Sequence, residues 1–183
     1  MFVDFINDMN RVVRSHGKRT VIWNWWNVDQ TPTIAPDLNI KVEVWTTAAT
    51  GTTDNHSVQT YLDMGYDVVA SPSDTLYVTP GSLLLPNPKF LYEQWAPLVD
   101  PHLWGYQISV WSDNAQTAPD SYFDAYLRRP REVVADRLWG GPRQGTAADF
   151  LRARRRDRHS SGRAGVPTAE PAERHALRHE PGL

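Results

Sequence analysis

The chain has 183 residues, of which 40% are apolar and 22% are charged, a composition typical of a soluble globular protein. It contains no cysteine, which excludes disulfide bonds and thiolate metal sites. It also contains no stretch of about eighteen apolar residues of the kind that spans a membrane.

The net charge of −2 is unevenly distributed. Residues 151–183 contain eight Arg and four acidic residues, so residues 1–150 carry a net charge of about −6. The negative net charge of residues 1–150 argues against a surface that binds the phosphate backbone of a nucleic acid. We therefore expect no nucleic-acid partner. The residues from Met1 to Phe5 lack the basic and long apolar segments of a secretory signal, and the sequence leaves the compartment open.

A helix is predicted over residues 2–15, ended by Gly17. Its apolar positions fall on one helical stripe, made up of Phe2, Phe5, Ile6, Met9, Val12 and Val13.

Four strands follow, at residues 20–23, 40–45, 66–71 and 105–111, and most of the segments between them are helical or long. Asp54 is a candidate cap for a helix that continues to Met64, and two further helices are predicted at 120–128 and 131–139. This alternation predicts a parallel sheet with crossover connections. The connection at 27–39 contains Pro32 and Pro36 and leaves little room for a crossover helix.

The composition changes near residue 158. Residues 159–183 contain no aromatic residue and few large aliphatic residues. Such a segment buries too little apolar surface to offset its ordering entropy. We therefore expect residues 1–157 to form the folded domain and residues 158–183 a disordered tail. The Arg-rich run at 152–158 is more simply a solvated helix end than an anion site.

Aromatic residues gather at the ends of the predicted strands. Trp23, Trp45 and Trp111 each end a strand, Asp113 follows the last of them, and the third strand leads to Tyr77. In parallel α/β barrels the carboxyl ends of the strands build the active site. Aromatic walls with a few polar groups suit a sugar, whose C–H faces stack while its hydroxyls need fixed partners.

Each of these residues also has a purely structural interpretation, which competes with a role in sugar binding. A single Trp at a strand end is more often a core residue, and Asp113 alone is equally well a helix cap or a loop carboxylate. The shared placement at three strand ends favours an aromatic pocket. The six histidines lack metal-ligand spacing, and no phosphate-binding or nucleophile-elbow motif occurs, so we expect neither a metal nor a cofactor.

Five segments in order resemble glycoside hydrolase family 20, the β-N-acetylhexosaminidases. In the family they read roughly Trp-x-Glu, a Trp-ended strand, a Tyr, Trp-Ser-Glu, and Pro-Arg followed by Ala-Glu-Arg-x-Trp. The counterparts here are Val-Ile-Trp-Asn at 21–24, Val-Glu-Val-Trp at 42–45, Asp-Val-Val-Ala-Ser at 67–71 with Leu-Tyr at 76–77, Ser-Val-Trp-Ser-Asp at 109–113, and Arg-Pro-Arg at 129–131 with Ala-Asp-Arg-Leu-Trp at 135–139.

The resemblance covers about residues 5–140 and implies part of a (β/α)8 barrel, namely strands five to eight with their helices, since a complete barrel needs about 250 residues. By the same resemblance Trp23, Trp45 and Trp111 line the pocket for a terminal N-acetylhexosamine. Tyr77 would contact the acetamido carbonyl, and Asp113 would hold a sugar hydroxyl. The family mechanism is substrate-assisted: the acetamido oxygen attacks the anomeric carbon, an Asp orients it, and the neighbouring Glu is the general acid.

The sequence departs from this pattern at four points. It contains no adjacent Asp-Glu pair, which in the family follows strand four, so the pair is expected to lie outside this polypeptide. Trp-Ser-Asp replaces Trp-Ser-Glu, Trp25 stands where a Glu is common, and Thr79 replaces an acid. The Trp-Ser-Asp form and the Leu-Tyr-Val-x-Pro-Gly stretch at 76–81 look more like the lacto-N-biosidase branch, which releases a disaccharide.

Two classes of function are therefore open. One is a glycosidase fragment that acts on glycans, inactive alone without the catalytic pair. The other is a non-catalytic carbohydrate-binding remnant or a truncated product without function. Half a barrel exposes strand edges, so either a missing N-terminal half-barrel or self-association is an expected partner.

Overall fold

The computed structural model describes residues 1–24, 35–46, 56–80, 84–113, 115–140 and 142–161. The helices are α1 (Phe2–Ser15), α2 (Val58–Asp63), α3 (Ser73–Leu76), α4 (Pro88–Glu93), α5 (Asp120–Trp139) and α6 (Ala147–Ser161). The strands are β1 (Val21–Trp23), β2 (Lys41–Val44), β3 (Asp67–Ala70), β4 (Tyr77–Val78), β5 (Leu103–Tyr106) and β6 (Ser109–Val110).

The central sheet has the order β1-β2-β3-β5, and every neighbouring pair in it is parallel. Val21 pairs with Lys41, and Val44 pairs with Ala70. The strands of this sheet follow one another in chain order, with only the two-residue β4 between β3 and β5, as in a barrel built from βα units. The predicted parallel sheet is confirmed.

The last predicted strand, 105–111, is two strands in the structure. β5 begins earlier, at Leu103, and pairs with β3, whereas β6 pairs with β4 in a second parallel ladder. The register of β5 against β3 shifts between Val68 and Val69, a bulge that bends the strand.

The core lies on one face of the sheet. Val42 and Val44 of β2 and Val68 of β3 are fully buried against Tyr61 and Tyr66. The intervening residues of β2, Lys41 and Glu43, are half-buried on the opposite face, since side chains alternate along a strand. A second cluster lies under α5 and contains Leu76, Leu91, Tyr92, Val133, Val134 and Ala147.

Helix α2 begins later than predicted. The hydroxyl of Ser57 accepts a hydrogen bond from the amide of Thr60 at 3.3 Å, so Ser57 is the cap. Asp54, the predicted cap, lies outside the described residues. Helix α1 matches its predicted range, but Phe2, Phe5, Met9 and Val12 are exposed, and Val3 and Asn10 are its buried residues.

The two helices predicted at 120–128 and 131–139 are one continuous helix, α5, with Pro130 inside it. A proline in a helix interior removes one backbone hydrogen bond and costs about 3 kcal/mol. Pro130 is itself buried, next to Val133 and Val134, and this burial offsets the loss.

Helix α6 runs to Ser161, three residues beyond the position where the tail was predicted to begin. The rest of the predicted tail, from residue 162, lies outside the described residues. In the described part of the chain no helix is both long and apolar enough to cross a membrane.

Candidate functional site

Four aromatic side chains meet beyond the carboxyl ends of the strands. The ring centroids of Trp23 and Trp111 are 5.8 Å apart, and those of Tyr77 and Trp111 are 5.7 Å apart. Trp45 lies nearly parallel to Tyr77, with centroids 6.3 Å apart and 16° between the ring planes. These separations are typical of aromatic pairs in contact. Residues spaced over 89 positions in the sequence therefore form one aromatic cluster, which lies at the end of the sheet where barrel enzymes bind substrate.

The cluster is only partly covered. Trp23 and Trp111 are 37% and 38% exposed, whereas Tyr77 is buried. A tryptophan that served only the core would be largely buried at this size. The exposed ring surface is available to stack against the apolar face of a sugar.

Asn24 fixes the backbone on which Trp45 stands. Its side chain is buried, and its Oδ1 accepts a hydrogen bond from the amide of Trp45 at 2.9 Å. Its Nδ2 donates to the hydroxyls of Thr46 at 2.5 Å and Tyr61 at 3.3 Å. Asn24 follows β1 and Trp45 follows β2, so this one amide joins the ends of both strands and holds Trp45 in place.

Tyr77 is held as a neutral phenol. Burial raises its pKa to about 12, a hydrogen bond with Trp111 opposes that rise, and the Glu43 carboxylate adds to it. A phenol whose pKa is raised keeps its proton and remains a hydrogen-bond donor at every physiological pH.

A chain of polar side chains lies on the same face of the sheet. Gln107 donates a hydrogen bond to Glu43, reaching across β3, and its Nε2 also lies 3.4 Å from the hydroxyl of Ser109. The hydroxyls of Ser109 and Ser71 are 2.7 Å apart and buried. Burial raises the pKa of the Glu43 carboxyl. A side chain of β2 and one from the segment after β5 therefore meet over β3, which lies between those two strands in the sheet.

Asp113 is exposed, two residues after Trp111. Among the described residues it forms no hydrogen bond or ion pair, so its predicted role in holding a sugar hydroxyl stays a prediction. Trp25 lies outside the described residues. No group of three or more His, Asp or Glu within the described ranges is arranged to hold a metal ion.

Sequence reasoning assigned no role to Asn24, Glu43, Gln107, Ser71 or Ser109. A signal for Glu43 is present, because Lys41, Glu43 and Trp45 alternate with Val42 and Val44 and so must share a face. No sequence signal pairs Glu43 with Gln107, since the two residues are 64 positions apart and only the order of the strands in the sheet brings them together.

Known structures share this fold. Dispersin B aligns with a TM-score of 0.58 at 17% identity, over 74% of this chain and 47% of its own. The exo β-N-acetylglucosaminidase of Vibrio harveyi, solved in complex with N-acetylglucosamine, aligns with a TM-score of 0.60 at 17% identity, over 88% of this chain and 26% of its own. A catalytic module of the pneumococcal exo-β-D-N-acetylglucosaminidase aligns with a TM-score of 0.52 at 15% identity, over 74% of this chain and 36% of its own.

The chain thus spans less than half the length of these solved structures. Comparison with curated protein sequences gave no significant match. The model of the glycosyl hydrolase family 20 catalytic domain matches residues 1–142. Since that match covers most of the 183 residues, the chain belongs to glycosyl hydrolase family 20.

Proposed function

We propose that this chain forms the sugar-binding side of a family 20 active site that recognises a terminal N-acetylhexosamine of a glycan, or a lacto-N-biose unit. The observation that carries the proposal is the aromatic cluster of Trp23, Trp45, Tyr77 and Trp111, which four separate segments bring together at one end of a parallel sheet. In the proposal β1, β2, β3 and β5 correspond to strands five to eight of the family barrel.

The geometry supports recognition of an N-acetyl sugar in two ways. The exposed faces of Trp23 and Trp111 offer stacking surface for the sugar ring or for the acetamido methyl group. The Tyr77 phenol, kept protonated, can donate a hydrogen bond to the acetamido carbonyl. In a substrate-assisted mechanism that carbonyl oxygen attacks the anomeric carbon, so a donor that holds it favours the reactive geometry.

The chemical step needs two further groups. A general acid must protonate the leaving oxygen, and a carboxylate must orient the acetamido group. The sequence contains no adjacent Asp-Glu pair. We propose that this pair is supplied by residues outside the printed sequence, and that 1–183 alone binds sugar without cleaving it. The same absence favours a second candidate function, a carbohydrate-binding module without catalysis.

Ligand binding tests the proposal directly. We expect N-acetylglucosamine to bind 1–183 weakly in isothermal titration calorimetry or saturation-transfer NMR, with glucose, which lacks the acetamido group, binding more weakly still. Trp111→Ala should abolish the difference between the two sugars. Phe90→Ala, which truncates an exposed ring on α4 outside the cluster, is the matched control and should leave it intact. Equal binding of the two sugars by the native chain would contradict the proposal.

A further inference from the structure

The aromatic cluster is divided between two sets of strands. Trp23 ends β1 and Trp45 directly follows β2, so both belong to the four-stranded sheet. Tyr77 begins β4 and Trp111 directly follows β6, so both belong to the second ladder. Each strand of that ladder is only two residues long. The spacing of the rings therefore depends on what holds the short ladder against the sheet.

The segment between β5 and β6 joins the ladder to the sheet. The amide of Gln107 donates a hydrogen bond to the carbonyl of Ala70, the last residue of β3, at 2.9 Å. The Gln107 side chain continues across β3 and donates to the Glu43 carboxylate of β2. Two residues further along the chain, the buried hydroxyl of Ser109 lies 2.7 Å from that of Ser71. Gln107 is thus anchored to two strands of the sheet just before the chain enters β6.

Glu43 lies beside both tryptophans of the sheet. It is the register partner of Trp23 in the pairing of β1 with β2, and it precedes Trp45 by two residues. Residues in register, and residues two apart along a strand, share one face of a sheet. The Glu43 carbonyl also accepts a hydrogen bond at 3.0 Å from the amide of Asn24, the residue that holds Trp45. The Glu43 side chain therefore connects the sheet half of the cluster to the segment that leads to the ladder half.

We propose that Glu43 is a positioning residue of the sugar site. By accepting the hydrogen bond from Gln107, it fixes the ladder half of the aromatic cluster against the sheet half and so sets the width of the pocket. Glu43 acts through Gln107 and needs no contact with the sugar. The consequence for sugar binding rests on the proposed function, whereas the geometric role does not.

The role requires a hydrogen-bond acceptor at this position and not a negative charge. A glutamine side chain has the same length and keeps an oxygen that accepts from Gln107. Tyr77 stays protonated at neutral pH without the Glu43 charge, since the phenol of a free tyrosine has a pKa of about 10. Glu43→Gln should therefore preserve the pocket, and Glu43→Ala, which removes the acceptor, should not.

Circular dichroism of the unliganded chain tests the geometry. The rings of Trp23 and Trp111, with centroids 5.8 Å apart and 51° between their planes, are close enough to couple their far-ultraviolet transitions and give a paired positive and negative band. The part of the spectrum that Trp111→Phe removes belongs to the contacts of Trp111. We expect Glu43→Ala and Gln107→Ala to lose most of that part, and Glu43→Gln to retain it.

Sugar affinity tests the consequence for binding. Glu43→Ala and Gln107→Ala should each weaken the binding of N-acetylglucosamine at least about tenfold, the effect expected from one hydrogen bond to a charged group. The double variant should bind no more weakly than either single variant, because both substitutions remove the same bond. Glu43→Gln should bind within about twofold of the native chain.

Asp67→Ala is the matched control. Asp67 is a half-buried carboxylate at the amino end of β3, where it accepts hydrogen bonds from Arg19 and pairs with His102, away from the aromatic cluster. The variant loses a carboxylate and its partners as Glu43→Ala does. It should leave both the paired band and the sugar affinity of the folded protein unchanged.

Four outcomes overturn the proposal: a paired band that Glu43→Ala leaves intact, a Glu43→Gln variant as impaired as Glu43→Ala, additive losses in the double variant, or an equal loss in Asp67→Ala. If Glu43→Ala does not fold, Gln107→Ala tests the same bond from a residue outside the strands. The spectrum needs no sugar. A chain whose paired band follows these expectations but which binds no N-acetylglucosamine would contradict the proposed function and leave the positioning role standing.

Discussion

Asn24 and Trp45 are joined by a hydrogen bond of 2.9 Å from the amide of Trp45 to the side-chain oxygen of Asn24. The bond joins the residues that follow two neighbouring strands, β1 and β2. It fixes the backbone position of Trp45, from which the indole ring extends. Because Trp45 stacks on Tyr77, which in turn contacts Trp111, the position of the aromatic cluster depends on this buried amide.

Asn24→Ala should lower the free energy of unfolding and weaken sugar binding together. The substitution removes the buried hydrogen-bond partner of the Trp45 amide and the Thr46 hydroxyl. The free energy of unfolding should fall by about 2–3 kcal/mol as a result. Urea unfolding and calorimetric titration with N-acetylglucosamine measure the two effects.

Asn10→Ala is the matched control for that variant. Asn10, a residue of α1 outside the aromatic cluster, is equally buried and donates to Asp37 at 2.8 Å and to Asn39 at 2.7 Å. We expect a similar loss of stability with unchanged sugar affinity in the folded protein. If Asn10→Ala weakened sugar binding as much as Asn24→Ala, the specific role of Asn24 would be wrong.

Tyr77→Phe separates stacking from hydrogen bonding within the cluster. The ring remains against Trp45 and Trp111, but the donor to the acetamido carbonyl is lost. Since a hydrogen bond contributes about 0.5–1.5 kcal/mol net, the affinity for N-acetylglucosamine should fall about two- to twelvefold. Tyr92→Phe, which removes a hydroxyl that donates to the Gln144 carbonyl at 2.9 Å, should leave sugar affinity unchanged. An unaltered affinity in Tyr77→Phe would remove the proposed acetamido contact.

Alkaline pH should destabilise the fold through two buried phenols. The pKa values of Tyr66 and Tyr77 are raised by burial to about 12, against 10.0 for a free side chain. The folded state therefore holds protons that the unfolded state releases, and this stabilisation is complete below about pH 10 and lost between about pH 10 and 12. The loss is at most about 2–3 kcal/mol per tyrosine.

Urea unfolding at steps from about pH 9 to about pH 12 measures this loss. Tyr66 donates to the carbonyl of Pro36 at 2.6 Å, and Tyr66→Phe should reduce the dependence on pH as well as lowering stability overall. The dependence that remains comes from Tyr77 and from Tyr106, whose pKa burial also raises. Tyr126→Phe, at an exposed ring on α5, should retain the full dependence. Stability that stayed constant across this range would show that the two phenols titrate normally.

Glu43→Gln removes the charge of the Glu43 side chain and should not lower the stability of the fold. Burial raises the pKa of Glu43, so its ionised form costs stability as the pH rises above the carboxyl's ordinary value. The amide oxygen of the variant still accepts from Gln107 but carries no charge. The variant should be as stable as the native chain at low pH and at least as stable at neutral pH.

The same variant should lower the pKa of Tyr77, because the negative charge of Glu43 contributes to raising it. Tyrosinate absorbance, compared with a Tyr77→Phe background, isolates that one phenol. Glu132→Gln, which removes a carboxylate on α5, is the control and should leave the titration unchanged. A Tyr77 titration that is the same in Glu43→Gln and the native chain would contradict the coupling.

The sequence predicts the parallel sheet well because β2 and β3, which alternate half-buried and buried residues, and β1 are rich in β-branched residues. It predicts the division of the last strand poorly. Residues 105–111 read Gly-Tyr-Gln-Ile-Ser-Val-Trp without a further glycine or a proline inside the run, and only the change of partner from β3 to β4 divides it at Gln107 and Ile108. The helices predicted at 120–128 and 131–139 are one helix for a comparable reason, since the tolerance of Pro130 within α5 depends on burial that local sequence does not reveal.

The residues of the candidate site are likewise predictable only in part. Strand-end tryptophans are visible in the sequence, and the structure brings Trp23, Trp45 and Trp111 into one cluster through Tyr77. Their part in sugar binding, and that of Asp113, stays a prediction. The polar support from Asn24 and from the Glu43–Gln107 bond depends on distances across the sheet, which periodicity does not encode. Sequence patterns here identify the side chains that would touch a ligand better than those that hold them.

Activity is the last prediction, and it depends on groups that the printed sequence lacks. General acid catalysis alone contributes about a hundred- to ten-thousand-fold to such a reaction, and loss of the orienting carboxylate adds to the deficit. Asp113 is not a substitute, because its inferred contact is with a hydroxyl rather than with the reacting atoms. Purified 1–183 should therefore not measurably hydrolyse an aryl N-acetyl-β-glucosaminide or an aryl lacto-N-bioside.

Co-expression with a matching N-terminal barrel half that carries an Asp-Glu pair should restore turnover. Asp113→Ala should then weaken that turnover, whereas Asp63→Ala on the surface of α2 should not. Robust hydrolysis by the isolated chain, retained after contaminating hydrolases are removed, would show that the acid lies within these 183 residues and that its assignment elsewhere is wrong.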